Sequence, residues 1–270
     1  MEQMKALFQL YLQQFKTTFA SMFQYRAALL IWMIGQVLEP LVFLIVWSTV
    51  SNGNGGSVGT YTTGAFVSYF VVLMLVNQFT YTWLMWDYEW RIREGILSFA
   101  LLKPVHPIHS FVADNLMSKA IQLPVLTVIA VALAFAFHAS LTVTPWFVLL
   151  FILSLLLAFA VRFLLEWTLA QAAFWTTRIS SINQLYFLLL LLLSGQIAPL
   201  SLLPSPLQIA AKILPLYWTV GFPTELLLGK LPLSAAVFGI GVQIAWLIII
   251  LFLSRLVWKF GTRAYSAVGQ

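Results

Sequence analysis

Uncharged apolar tracts alternate with short charged or turn-forming segments along this chain. A helix needs about 20 consecutive apolar residues to cross the hydrocarbon core of a bilayer, and six tracts approach or exceed that length. We predict membrane spans over residues 27–50, 63–86, 120–137, 145–174, 182–199 and 233–254. The pattern therefore predicts an all-α membrane protein with a single transmembrane domain over residues 1–270.

The first 25 residues follow another pattern, in which apolar side chains return every three or four positions: Met4, Phe8, Tyr11, Phe15, Phe19 and Met22. Lysines and glutamines repeat in the same way on a different face. We predict that residues 1–25 form an amphipathic helix in the cytoplasmic membrane interface, with its apolar face in lipid. The alternative is a cytoplasmic helix that packs on protein.

The basic residues indicate the orientation. With six spans both termini lie on one side, together with eleven of the 14 lysines and arginines: Lys5, Lys16, Arg26, Arg91, Arg93, Lys103, Lys119, Arg178, Arg255, Lys259 and Arg263. Only Lys212 and Lys230 fall on the other side. Because basic residues concentrate in cytoplasmic segments, we predict that both termini are cytoplasmic. Since these residues follow a membrane boundary and form no single patch, we predict no nucleic-acid partner despite the net charge of +6.

Composition excludes several classes of protein. Apolar residues make up 61% of the chain and charged residues only 8%, whereas a soluble domain has roughly 25% charged residues. The chain has no cysteine, which excludes disulfides and thiolate metal sites. Gly229 and Lys230 resemble the end of a nucleotide-binding loop, but Leu231 stands where that loop needs Ser or Thr. We therefore predict neither a catalytic site nor a metal or cofactor bound by this chain, although His106 and His109 could in principle share a metal.

Three ionisable residues fall inside predicted spans: Glu39, Arg162 and Glu166. Ionisable groups at membrane depth are costly, and they face the bundle interior or pair with one another. Arg162 and Glu166 are four residues apart, so they lie on one helix face and can pair. Two readings stay open: a polar lining of a transport path, or a structural pair near the cytoplasmic end of the fourth span.

The segment 87–119 is the only sizeable polar segment predicted on the cytoplasmic side. Charges of both signs cluster at its start, and a short apolar helix over residues 96–102 follows, ended by Lys103 and Pro104. If another protein drives this one from the cytoplasm, we expect the contact here. The alternative is a solvated loop with satisfied charges.

The segment 200–231 is too apolar for an ordinary loop and too rich in proline for one straight helix. Together with the residue that precedes it, it carries five of the 11 prolines: Pro199, Pro204, Pro206, Pro215 and Pro223. Irregular backbone at membrane depth occurs only where protein buries it or water reaches it. We therefore predict re-entrant helices that dip in from the outer face between spans five and six.

These features together resemble the transmembrane permease subunit of an ATP-binding-cassette (ABC) transporter of the type-2, exporter class. The resemblance covers the whole chain, from the amphipathic helix to the tail. Its motifs are Arg93-Glu94-Gly95-Ile96-Leu97, Leu102-Lys103-Pro104, Ser194-Gly195 with Pro199 and Pro204, Leu214-Pro215, and the tail Tyr265-Ser266-Ala267-Val268-Gly269. Where the family usually has Glu-Arg-x-x-Gly at the start of the loop, this chain has Trp90-Arg91-Ile92-Arg93.

The resemblance implies a pair of permease subunits, identical or homologous, and two separate ATPase subunits that bind ATP and Mg. It implies ATPase coupling through Arg91, Arg93, Glu94, Gly95, Leu97, Lys103 and Pro104. For the translocation path or gate the candidates are Glu39, Arg162, Glu166, Gly195, Pro199, Pro204 and Pro215. It further implies export across the cell membrane of a prokaryote, with a drug, a lipid or a glycan as substrate. The alternative function is a membrane-embedded enzyme acting on a lipid-linked substrate.

Overall fold

The computed structural model describes residues 2–140, 144–176 and 178–265. Residues 266–269 of the tail motif, and the side chains of residues 1–7, lie outside this description. The helices are α1 Glu2–Gln24, α2 Arg26–Gly53, α3 Thr63–Thr80, α4 Leu84–Arg93, α5 Ile96–Leu101, α6 Ile108–Ala136, α7 Pro145–Ala170, α8 Ala173–Thr176, α9 Ser180–Leu193, α10 Ser205–Ile213, α11 Leu216–Thr219, α12 Gly221–Leu227 and α13 Leu233–Ala264. A small hairpin of β1 Ser57–Val58 and β2 Tyr61–Thr62 joins α2 to α3, and the predicted all-α membrane fold is confirmed.

Five stretches of the described chain are long and apolar enough to cross a membrane: Arg26–Gly53, Thr63–Arg93, Ile108–Ala136, Pro145–Thr176 and Leu233–Ala264. The remaining predicted span, 182–199, corresponds to α9, which has 14 residues and ends at Leu193. At 1.5 Å per residue α9 is about 21 Å long, shorter than the roughly 30 Å hydrocarbon core. The helix stops there because Gly195 adopts a left-handed backbone conformation at φ +89°.

The third span begins at Ile108 rather than at residue 120, so much of the segment predicted as a loop is helical. The predicted boundary was wrong because Lys119 does not mark the membrane surface. It is buried within α6, where its Nζ donates a hydrogen bond of 2.6 Å to the carbonyl of Tyr81 and lies 5.0 Å from the ring centre of Phe159. A lysine with such partners can enter a bundle that would otherwise exclude it.

Helix α1 lies against the start of α6 through polar contacts. Asp114 accepts hydrogen bonds from Gln14 Nε2 at 2.7 Å and from Thr18 Oγ1 at 3.0 Å. Tyr11 Oη lies 3.2 Å from His109 Nδ1. An adjacent face of α1 presents an exposed row of phenylalanines: Phe8, Phe15, Phe19 and Phe23. The helix therefore packs on protein along one side and leaves an apolar face free for lipid.

Helix α7 is at the centre of the bundle and packs against α3, α4, α12 and α13. Its Trp167 is fully buried. Around it, the rings of Tyr88, Phe111 and Trp258 lie 5.3, 5.4 and 5.6 Å away between centres. This aromatic cluster holds the α4–α5 segment on the same rigid core as the last span.

Helix α12 of the segment 200–231 packs closely against α13 at Gly239. A Cβ at Gly239 would lie 2.1 Å from the ring of Phe222 in α12, whereas a Cβ at Gly241 would have no neighbour within 4 Å. We expect Gly239→Ala to displace Phe222 and to destabilise the fold by about 1–3 kcal/mol through overpacking. The midpoint of thermal unfolding in detergent should therefore fall. Gly241→Ala is the matched control on the same helix, and equal midpoints for the two variants would contradict the packing.

Candidate coupling and transport sites

The second span is broken at residues 81–83, between α3 and α4. A break at membrane depth frees backbone groups that lipid cannot satisfy. Lys119 of α6 supplies a partner for one of these groups, since its Nζ donates to the carbonyl of Tyr81 at 2.6 Å. The side chain of Thr82 is also fixed, because its Oγ1 donates to Glu166 Oε2 of α7. The break is therefore built into the bundle by polar side chains from two other spans.

Arg162 and Glu166 form a buried ion pair beside this break. Arg162 Nε lies 3.1 Å from Glu166 Oε1, and the two side chains are 1% and 0% exposed. Arg162 Nη1 also donates to Asn77 Oδ1 at 2.8 Å and to Thr80 Oγ1 at 3.0 Å, both on α3. The Tyr186 hydroxyl of α9 donates to Glu166 Oε1 at 3.0 Å. The network thus joins α3, α7 and α9 at one depth.

This geometry supports the structural reading of the Arg162–Glu166 pair over the path-lining reading. Both charges are compensated and both are closed off from solvent within the chain. Glu39, the third predicted intramembrane residue, differs because it is exposed on α2. Among the described residues it has no hydrogen bond or ion pair, so it is not joined to the network by a direct contact.

The predicted coupling segment is a helical hairpin with an exposed apolar edge. Gly95 takes a left-handed conformation at φ +69° and turns the chain from α4 into α5. Leu97 is completely buried and anchors α5. On the outer side Ile96, Phe99 and Leu102 are exposed, Phe99 to 70% and Leu102 to 83%. We call this edge, with the exposed charges of Arg93, Glu94 and Lys103 beside it, the coupling ridge.

The exposed apolar members of the coupling ridge were not among the predicted coupling residues, which were four charged residues together with Gly95, Leu97 and Pro104. Their spacing of three residues was the available signal, since it places Ile96, Phe99 and Leu102 on one side of a short helix. Arg91, by contrast, faces inward. Its guanidinium pairs with Asp87 at 2.9 Å and with Asp114 at 3.5 Å, and lies 4.4 Å from the ring centre of Phe111. Arg91 therefore holds α4 on α6.

The outer-gate candidates lie where α9 joins the segment 200–231. Gly195 is held on α3 because its carbonyl accepts a hydrogen bond of 2.8 Å from the Tyr69 hydroxyl. Ile197 is held on α2, through a bond of 2.7 Å from Trp47 Nε1 to its carbonyl. Pro199, Pro204 and Pro215 immediately precede three of the short helical turns that follow. The segment is a chain of short helices pinned at its start to two spans.

Glu225 is buried in this segment. Its Oε2 accepts a hydrogen bond of 2.8 Å from the Tyr217 hydroxyl. Burial raises the pKa of the Glu225 carboxyl above its ordinary value, opposed by that hydrogen bond and by the charges of Lys212 and Lys230. The two lysines are exposed, and Lys230 Nζ lies 4.7 Å from the ring centre of Tyr61.

The two neighbouring histidines have separate contacts. The ring of His106 lies 4.3 Å from that of Trp258, whereas His109 contacts Tyr11. Within residues 2–140, 144–176 and 178–265, no group of three or more His, Asp or Glu side chains is placed to hold a metal.

Comparison with known proteins identifies one family. The sequence profile described as ABC-2 family transporter protein matches residues 30–269, which is most of the chain. No curated protein and no solved structure matches it.

The buried Arg162–Glu166 pair leads to a prediction about the stability of the protein. We expect Glu166→Leu to destabilise the protein by about 3–5 kcal/mol, because it leaves the Arg162 charge buried and unpaired. Replacing both partners, Arg162→Met with Glu166→Leu, should recover much of this loss, since no charge remains to be compensated. The measurement is the thermal midpoint and the folded yield in detergent. A double variant no more stable than the single one would contradict this account of the pair.

Proposed function

This chain belongs to the ABC-2 family of transporter proteins, and from that premise we propose that it exports a substrate from the cytoplasm or the inner leaflet. As a member of this family it is a membrane transport subunit of an ABC transporter and works with an ATPase subunit. The complex contains two ATPases, which bind ATP and Mg, and two permeases. It lies in the cell membrane of a prokaryote, with both permease termini in the cytoplasm. The observation that carries the proposal is the coupling ridge, an exposed apolar edge at the end of a helix that leads into the membrane.

The coupling ridge is the proposed ATPase contact. Large apolar side chains rimmed by charges are typical of a protein interface, in which the centre is apolar and the rim polar. Phe99 and Leu102 supply the apolar centre, and Arg93, Glu94 and Lys103 supply the rim. Gly95 turns the chain between α4 and α5, Pro104 follows the end of α5, and Leu97 fixes α5 to the bundle.

The break in the second span is the proposed point at which movement reaches the transport path. Helix α4 leads from the ridge directly to residues 81–83, where Thr82 bonds to Glu166. Glu166 bonds in turn to Tyr186 of α9, and α9 leads to Gly195 and the segment 200–231. A displacement of α4 caused by the ATPase therefore has a continuous set of polar contacts through which to move α9 and the outer gate.

Glu39 marks the proposed contact with the second permease. It is exposed on a membrane-spanning helix, next to exposed apolar side chains such as Leu38 and Val42. An ionised carboxylate facing lipid is costly. A second permease packed on this face of α2 removes Glu39 from lipid and supplies a partner for it.

The coupling ridge is tested by charge reversal and by removal of its apolar centre. We expect Arg93→Glu and Phe99→Asp each to weaken the association of this chain with the co-expressed cassette ATPase, relative to the wild-type chain. Loss of a central apolar contact costs about 2 kcal/mol or more, which is roughly thirtyfold in affinity. The measurements are the amount of ATPase retained and its transport-coupled ATP hydrolysis. Lys259→Glu, a charge reversal on α13, is the control, and normal coupling in both ridge variants would contradict the contact.

The topology of the segment 200–231 is tested by labelling. Because the chain has no cysteine, labelling of a single cysteine introduced at the exposed position Lys212 or Lys230 reports on that position alone. We expect both to react with a membrane-impermeant maleimide added to intact cells. A cysteine at Lys103, on the coupling ridge, should react only after the membrane is opened. Labelling of Lys212 or Lys230 from the cytoplasmic side alone would overturn both the topology and the outer gate.

A further inference from the structure

A cleft of about 510 Å³ opens between α2, α6 and the break in the second span. It is separate from the coupling ridge and from the segment 200–231. Six aromatic side chains line it: Trp32, Tyr81, Trp83, Trp86, Trp90 and Phe111. Trp32 packs edge-on against Trp83 with 5.0 Å between ring centres, and Trp83 stacks on Trp86 at 5.9 Å. The cleft therefore presents several aromatic faces and edges to whatever fills it.

Two carboxylates, those of Asp87 and Asp114, lie together on the polar side of the cleft. They share the guanidinium of Arg91, at 2.9 and 3.5 Å, and Asp114 also accepts hydrogen bonds from Gln14 and Thr18 of α1. Lys119 lines the cleft as well, with its ammonium bonded to the Tyr81 carbonyl and lying over the ring of Phe159 on α7. The two carboxylates therefore form an acidic end of the cleft, next to its aromatic lining.

A buried hydrogen-bond acceptor lacks a partner there. Gln78 lines the cleft and is 4% exposed. Its Nε2 donates to Gln122 Oε1 at 2.6 Å, whereas its Oε1 has no hydrogen bond within the described chain. A buried amide oxygen without a donor costs free energy, and a ligand that brings a donor or a positive charge relieves that cost.

We propose that this cleft binds an amphipathic organic cation. The apolar body lies between the tryptophans, where a positive charge next to an aromatic face is attracted by the ring quadrupole. The cationic centre lies towards Asp87 and Asp114, where the two carboxylates attract it. Because the cleft adjoins the break in the second span, its occupant contacts the element that moves in the proposed transport cycle. That the cleft loads substrate for export rests on the proposed function, whereas binding itself does not.

The binding test uses the purified full-length chain in detergent, without an ATPase. The probe is radiolabelled tetraphenylphosphonium, and the competitor is tetraphenylsilane, a neutral molecule of nearly the same shape. We expect saturable binding of the cation and poor competition by the neutral isostere. Asp87→Asn and Trp83→Leu should each weaken binding about tenfold, through loss of the ionic and the cation–π contact respectively. Trp146→Leu removes an exposed tryptophan at the start of α7, outside the cleft, and should leave binding unchanged.

The possible outcomes distinguish binding of the cation in the cleft from a role of the cleft in transport. Equal competition by the neutral isostere, or wild-type binding in both Asp87→Asn and Trp83→Leu, overturns the proposed cation site. Size-exclusion chromatography identifies a variant that has failed to fold. Gln78→Leu then replaces that variant, and we expect it to weaken binding by the same factor. ATP-dependent uptake of the probe into inverted vesicles carrying the whole transporter would support the loading role. Intact binding in detergent without such uptake would overturn that role, and would leave the binding site standing.

Discussion

Water cannot reach the middle of a bilayer, so each polar group placed there must find its partner in the protein. This constraint shapes the break at residues 81–83. Lys119 bonds to the Tyr81 carbonyl and Thr82 bonds to Glu166, whose carboxylate is in turn compensated by Arg162. The partners come from α6 and α7, so the second span can be interrupted only because the third and fourth spans are already in position. The fold and the interruption of the second span therefore depend on each other.

Five of the six predicted spans correspond to helices long and apolar enough to cross a membrane, because length and hydropathy identify such helices. The end of α9 at Leu193 and the start of the third span could not be predicted in this way, since a lysine in a sequence ordinarily marks the membrane surface. Lys119 is an exception because its ammonium finds a carbonyl and an aromatic ring. The pairing of Arg162 with Glu166 followed from their spacing, but their bonds to Asn77, Thr80 and Tyr186 depend on how three helices meet. A sequence without its tertiary contacts contains no signal for such bonds.

The coupling ridge shows the same division between local and tertiary information. Its position after the second span, its glycine and its terminating proline were all readable from the chain. The roles of its two arginines were not, because Arg91 and Arg93 look alike in sequence. Only packing places Arg91 between Asp87 and Asp114 and leaves Arg93 exposed. Conversely, Phe99 and Leu102 resemble core residues by composition, and only the bundle shows that nothing within the described chain covers them.

The shortness of α9 has a consequence for the surrounding lipid. A helix of 14 residues is about 21 Å long, so by itself it cannot match a bilayer core of roughly 30 Å. Leu185, Leu188 and Leu192 nevertheless expose apolar side chains along its length. Wherever lipid reaches this helix, the bilayer must thin locally or the helix must be shielded by other protein, and each solution has its own energetic cost. Membrane thickness, set by acyl-chain length, therefore becomes one of the conditions that act on this helix and on the segment 200–231 attached to it.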